Sequence, residues 1–309
     1  MKTCIALSEK NKYSVRTINE GEIPAVEIKG RELPVVDKTF DCGQCFRFER
    51  VENSRHESEW GGVAFGRYVS FAEEDGSLYI YNSTEADFYD IWYNFLDLGT
   101  DYSVIEKDIL SKSENPALKR AVEFGRGIRI LRQDKWEALC SFIISQNNNI
   151  PRIKKIVSSL CETMGECINT KNAVSHGAAE LSYAFPTAAT VARHGIDALR
   201  ELKTGFRAKY IDDAARRVSD GTLAINDISF LSTDLASERL CEIKGVGPKV
   251  AACTLLFGFG KYDAFPVDVW IKRAVEKYFS AGFDPKMLGA YAGVAQQYLF
   301  YYERYLGGE

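Results

Sequence analysis

The sequence predicts an α+β protein in which an N-terminal antiparallel β-sheet domain packs on an all-helical domain. Three observations predict it. From about residue 12 to 110, β-branched and aromatic residues alternate or cluster between turn signals such as Glu74-Asp75-Gly76, the pattern of strands. After about residue 112 the text changes to helices joined by short polar breaks. Within it, residues 240–268, LCEIKGVGPKVAACTLLFGFGKYDAFPVD, read as a glycine hairpin between two helices. We therefore expect domains at 1–112 and 113–309, with the hairpin unit at about 238–256. A prior of ~150 residues per domain agrees with two for a chain of 309.

The pieces TFDCGQCFRFERV, GGVAFGRYVSFAEEDG and SLYIYN are expected strands. In ADFYDIWYNFLDLG, Phe88, Ile91, Trp92 and Phe95 fall at helical spacing, so this segment should lie across the sheet. Asp134 and Glu137 have the spacing of a capping box, and Trp136, Leu139, Cys140, Ile143 and Ile144 follow on one helical face. That helix runs into Asn147-Asn148-Asn149 and Ile150-Pro151-Arg152, where amides and a proline should end or distort it. Helix resumes over 153–160, a turn surrounds Pro186, and helices follow over 191–202 and 208–218, separated by Lys203-Thr204-Gly205-Phe206-Arg207. The final helix, 288–305, sets Gln296 and Phe300 four apart on one face. There is no internal repeat or low-complexity segment.

Hydrophobic residues at 46% and charged ones at 27% describe an ordinary soluble protein. A net charge of −4 argues against nucleic-acid binding by overall charge, so any such contact must be a local patch. Basic clusters at 119–120, 126–132, 152–155 and 203–209 are individually ordinary solvated faces, yet they are the only basic concentration in the chain. The eight cysteines are scattered and MKTCIALSEKNKY lacks the apolar centre of a signal peptide, so reduced thiols and a cytoplasmic location are expected. Cys42 and Cys45 have zinc or redox spacing, but no second pair follows, and His56, His176 and His194 are dispersed. No metal centre or cofactor is expected, no run approaches the ~18 apolar residues of a membrane span, and a monomer is the default.

In the hairpin, glycines at 245 and 247 can turn backbone N–H groups and a positive helix end toward a phosphate. Pro248 suits the first position of the following helix, which puts Lys249 in its first turn. There the helix dipole opposes an added positive charge, and partial desolvation would favour a neutral, nucleophilic amine. Cys253 shares a helical face with Lys249, and Asp268 in FPVD is a natural N-cap of the next helix. Each feature has a plainer explanation: a lysine in a first turn is usually a solvated charge, an aspartate at a helix start usually only a cap. The asparagine triplet could address an unpaired base edge, with Arg152 and Arg207 as planar donor forks, or could serve only as a turn cluster. Gln296 and Phe300 could read and stack a base, or belong with Tyr298, Tyr301, Tyr302 and Tyr305 to a core.

KGVGPKVA followed by FPVD, together with SQNNNIPRI, TGFRAKY, GQCFRF and VAQQYLF, resembles the helix-hairpin-helix DNA glycosylase superfamily, and within it the 8-oxoguanine DNA glycosylase/AP lyase family. The resemblance runs from about residue 30 to the end. It implies a bifunctional enzyme acting on double-stranded DNA with a damaged base. Lys249 would attack C1′ and form a Schiff base, and Asp268 would stabilise positive charge on the sugar. Gly43, Cys253, Pro266, Gln296 and Phe300 would line the pocket for the flipped base, with the last helix completing it. Asn147, Arg152 and Arg207 would hold the widowed cytosine, Phe206 would wedge into the stack, and Gly245, Val246 and Gly247 would grip phosphate. Backbone carbonyls of Cys241, Ile243 and Val246 would hold a structural cation. Two departures stand out. Trp270 occupies the position where eukaryotic members carry a phosphate-contacting histidine. Cys253 is the last cysteine, so the four-cysteine iron–sulfur cluster of endonuclease III-type relatives is excluded.

Overall fold

Period-two alternation in the N-terminal third folds as expected into a sheet, and the computed structural model describes residues 12–179 and 181–306. Cys4 and the rest of the N-terminal run up to residue 11 lie outside the described residues. The strands are β1 (Tyr13–Glu20), β2 (Ile23–Gly30), β3 (Phe48–Arg50), β4 (Ser58–Ala64), β5 (Arg67–Glu74) and β6 (Ser77–Tyr81), all antiparallel, in spatial order β1-β2-β6-β5-β4-β3. Register sets Val26 opposite Ile80, Ile80 opposite Phe71 and Phe71 opposite Trp60, and these side chains are buried. Cross-strand apolar pairs of this kind are what hold one face of a sheet.

The aromatic segment at 85–95 packs on that face through Phe88, Trp92 and Phe95. Its middle, Phe88–Trp92, is a π-turn. TFDCGQCFRF departs from the strand expectation. Val36–Phe40 is a short helix, α1, the chain then turns through Gly43 at φ +74°, and strand begins only at Phe48. The physical reason lies in distant partners. The Gln44 side chain donates to Thr39 O and Arg129 O, both at 2.8 Å, and accepts from Leu131 N–H at 2.9 Å. Its amide thus replaces a ladder that the segment never joins.

Helices follow as α2 (Tyr102–Lys112), α3 (Pro116–Gly125), α4 (Lys135–Ile144), α5 (Ile150–Met164), α6 (Ala188–Glu201), α7 (Ala208–Ser219), α8 (Thr233–Cys241), α9 (Pro248–Phe259), α10 (Val269–Tyr278) and α11 (Ala292–Leu306). Asp134 caps α4 by accepting Glu137 N–H at 2.9 Å. Glu137 does not return the bond expected of a capping box, because its partly buried side chain lies 3.7 Å from Arg47 Nη1. Pro151 lies in the first turn of α5, where its missing N–H is harmless, so it opens that helix and does not break it. A small hairpin, β7 (Cys167–Asn169) and β8 (Leu181–Tyr183), was not expected in this half. The final helix is interrupted by Gly289 at φ +68°, which leaves a 3-10 segment before α11.

The two halves meet through buried polar groups. Asp97 accepts from Tyr102 Oη at 2.9 Å, pairs with Arg132 at 2.8 Å and also accepts from Tyr262 Oη. Cys42 and Phe46, from the turn around Gly43, are buried in the helical core. Two of the three dispersed histidines also converge: His56 Nε2 is 2.8 Å from Tyr81 Oη, and the Tyr81 ring stacks 3.9 Å from that of His176. Among the described residues no His, Cys, Asp and Glu group could hold a metal, and no helix is long and apolar enough to cross a membrane.

Candidate active site

The hairpin between α8 and α9 is built as its glycines require. Gly245 takes φ +77°, and a Cβ there would fall 2.4 Å from the ring of Tyr210, so only glycine fits. Gln146 Nε2 donates to Gly245 O at 2.7 Å, and Asp213 Oδ2 accepts Lys244 N–H at 2.9 Å. Gly247 is the N-cap of α9 and Pro248 its first residue, which sets Lys249 in the first turn. The Val246 side chain is buried. The carbonyls of Cys241, Ile243 and Val246 belong to this turn, and Ile243 O accepts Val246 N–H at 3.0 Å. Three neutral backbone oxygens suit a hard cation.

Half-buried Lys249 reaches back over α4. Its Nζ donates to Ser145 Oγ at 3.2 Å and lies 5.6 Å from the centroid of the Phe142 ring. Ser145 in turn donates to Phe142 O at 2.8 Å, so its oxygen presents lone pairs to the amine. Asp268 is the N-cap of α10, accepting Ile271 N–H at 2.8 Å. A cavity of about 780 Å³ collects Gly43, Asn147, Lys249, Cys253, Pro266, Asp268, Trp270, Gln296 and Phe300 on one wall system. Burial pushes the Cys253 thiol up to about 11, against the pull of neighbouring Lys249, so it meets a ligand as a neutral, polarisable group. Gln296 is 4% exposed and its Oε1 is buried with no hydrogen-bond partner, an acceptor facing the site without a partner of its own. The ring of Phe300 lies 3.2 Å from where a Cβ on Gly43 would stand.

The asparagine triplet divides. Asn149 caps α5 by accepting Arg152 N–H, and Asn148 donates to Ile144 O at 3.1 Å, the plain structural roles. Asn147 is exposed, at φ +45°, and borders the cavity. Arg207 is buried, and its guanidinium donates to Gln146 O at 2.8 Å, Asn147 O at 2.9 Å and Thr204 O at 3.2 Å, bracing that turn. Phe206 is half exposed, as a wedge must be, and Arg152 is exposed. Trp270 is exposed at the cavity mouth with Arg273 5.8 Å from its ring. Sequence reasoning missed Ser145 and Gln297. Ser145 directly precedes the amide cluster and Gln297 directly follows Gln296, but neither has a spacing that marks it. A second cavity, about 910 Å³, lies across Phe46, Ile150 and Pro151 and holds none of the expected residues.

Two family models match. The N-terminal domain of 8-oxoguanine DNA glycosylase matches residues 27–139, and the HhH-GPD superfamily base excision DNA repair protein model matches 140–289. The N-glycosylase/DNA lyase of Saccharomyces cerevisiae is 38% identical over 49% of this chain, a match that spans only 42% of the yeast protein. A probable N-glycosylase/DNA lyase of Methanothermobacter thermautotrophicus is 31% identical over 65% of this chain and 71% of its own. The Clostridium acetobutylicum 8-oxoguanine glycosylase/lyase, solved with double-stranded DNA containing cytosine opposite 8-oxoguanine, superposes with a TM-score of 0.84 at 38% identity, covering 95% of this chain and 98% of that one.

Proposed function

The chain belongs to the 8-oxoguanine DNA glycosylase family of the HhH-GPD superfamily of base excision DNA repair proteins, and on that ground we propose that it is a bifunctional DNA glycosylase and AP lyase that excises 8-oxoguanine opposite cytosine. The observation that carries the reading is one cavity joining an amine, a carboxylate and a base-sized slot: Lys249, Asp268, and Gln296 with Phe300. The target nucleotide leaves the stack to enter it. Lys249, as the free amine, attacks C1′, and the electrons of the bond to the base leave with the base, which takes up a proton. Asp268 opposes the positive charge that grows on the sugar. Loss of the lysine proton and opening of the sugar ring leave an imine between Nζ and C1′. Protonated, that imine acidifies the C2′ hydrogen, whose removal expels the 3′ phosphate oxygen and cuts the strand.

Base choice is assigned to Gly43. 8-Oxoguanine carries an N–H at N7 where guanine has a lone pair, so a backbone carbonyl attracts one and repels the other. Leaving that acceptor buried and unmatched costs about 1–3 kcal/mol, roughly ten- to hundredfold in selection. Phe300 and Cys253 stack the purine, Gln296 reads its Watson–Crick edge and Pro266 closes the wall. Opposite the lesion, Asn147 and Arg152 hold the cytosine, Arg207 acts through the turn it braces, and Phe206 fills the gap. The hairpin N–H groups and the indole of Trp270 meet phosphate. A cation held by Cys241, Ile243 and Val246 would add positive charge for that phosphate.

Borohydride reduction tests the chemistry. Wild-type protein with 8-oxoguanine opposite cytosine is expected to give a covalent DNA adduct, and Lys249→Gln none. The absence of an adduct with every lesion tried would sink the lyase reading, and an adduct surviving Lys249→Gln would move the nucleophile elsewhere.

A further inference from the structure

We infer that Gln297 is a positioning residue for the Gly43 carbonyl and thereby sets discrimination between 8-oxoguanine and guanine; this rests on the role proposed above for Gly43. Gln297 is 2% exposed, between buried Ala295, Gln296, Tyr298 and Leu299 of α11. Burying a primary amide is unfavourable unless it finds partners. Its partner is specific: Nε2 donates to Cys42 O at 2.7 Å, across 255 residues of chain. Three and seven residues on, along the same helical face, Phe300 packs at Gly43 and Arg304 donates to Asp41 O at 2.9 Å. One face of α11 therefore clasps residues 42, 43 and 41 through Gln297, Phe300 and Arg304.

The other side of the turn is tied as firmly. Gln133 Nε2 donates to Gln44 O at 2.7 Å, and the Gln44 side chain is anchored to Thr39, Arg129 and Leu131. The carbonyls before and after Gly43 are thus both held, while Gly43 O accepts no hydrogen bond among the described residues. The peptide plane that carries this open acceptor can rotate only against its two tethered neighbours. Gly43 at φ +74° has little steric resistance to such a rotation on its own. Gln297 supplies the resistance on the helical side.

The test uses two substrates, a duplex with 8-oxoguanine opposite cytosine and one with a preformed abasic site, since cutting the second requires no base recognition. In Gln297→Glu an ionised carboxylate faces Cys42 O, whereas the protonated acid can donate to it. We expect 8-oxoguanine excision by this variant to fall about tenfold relative to wild type at about pH 8, and to return to within about threefold at about pH 5, where a buried carboxyl is protonated. Abasic-site cutting should stay within about twofold at both pH values, which is less than one lost hydrogen bond would produce. Gln297→Met, of similar length and with no donor, should show the excision deficit at both pH values and the same intact abasic-site cutting. Excision by Gln297→Glu equal to wild type at both pH values would overturn the inference. So would parallel loss of both activities in both variants, which would make Gln297 a support of the fold alone. Wild-type protein that does not cut abasic DNA would instead refute the proposed function.

Discussion

Asp268 has one observed role, as a helix cap, and one proposed role in catalysis, and a single substitution separates them. Its carboxylate caps α10 through Ile271 N–H at 2.8 Å and also borders the cavity that holds Lys249. Asparagine caps about as well as aspartate, so Asp268→Asn should change unfolding free energy by less than about 0.5 kcal/mol, whereas Asp268→Ala should lose about 1 kcal/mol. The charge has no such substitute. A carboxylate ~5 Å from a sugar cation, at an effective dielectric of ~20, contributes about 3 kcal/mol, or roughly two orders of magnitude in rate. Asp268→Asn should therefore melt like wild type, bind lesion duplex with a similar Kd, and release the base about a hundredfold more slowly in a single turnover. Base release at the wild-type rate would refute the electrostatic role. Loss of stability equal to that of Asp268→Ala would refute the cap argument, and weakened binding with normal turnover of bound DNA would contradict the electrostatic role.

Gly43→Ala places a methyl 3.2 Å from the Phe300 ring on a backbone at φ +74°. The left-handed conformation alone costs an L-residue about 1–2 kcal/mol, so thermal unfolding should register that loss. Excision of 8-oxoguanine should fall more than abasic-site cutting, and equal losses would argue that the turn does not touch the base. Desolvation pushes the Glu137 carboxyl from 4.5 up to about 7, although Arg47 lies 3.7 Å away. The unfolded chain releases this proton at the lower pH and the folded protein only at the higher, so stability is lost as pH rises across that window, by about 3 kcal/mol at most. Glu137→Gln should flatten that segment of the stability profile in denaturant melts, and an unchanged profile would show that Glu137 is ionised in the native state throughout.

The placement of the two proposed catalytic residues was legible because it follows local rules. A glycine at positive φ, a proline at the first helical position and an aspartate at an N-cap locate Lys249 and Asp268 from residues 240–268 alone. The sheet was legible from alternation and the helices from their periodicity. What failed was whatever depends on distant partners. TFDCGQCFRF has strand-forming residues, yet Gln44 takes its hydrogen bonds from Arg129 and Leu131, so the segment turns. The break expected at the asparagines and Pro151 is there, with α4 ending at Ile144 and Pro151 in the first turn of α5. Glu137 looked like half of a capping box because nothing nearby in sequence announces Arg47. Resemblance to a family supplied Gly43, Gln296 and Phe300; it did not supply Gln297, whose partner lies across both domains.

This contrast has a physical consequence for how the two activities are coupled. Lys249 is positioned by its own helix, by Ser145 and by Phe142, all inside the helical core. Gly43 belongs to the sheet half, but Cys42 and Phe46 on either side of it are buried in that same helical core. Its carbonyl is therefore only as well placed as the seam between the halves, which Asp97, Arg132 and Tyr262 close with buried charge and hydroxyl. Polar groups at such a seam are strong when all are satisfied and costly when one is removed. On the roles proposed above, loosening the seam disturbs the Gly43 carbonyl before it disturbs the Lys249 amine. The proposed selectivity is then the more fragile property of the two, because it depends on an alignment between domains, whereas the proposed nucleophile depends on a single helix terminus.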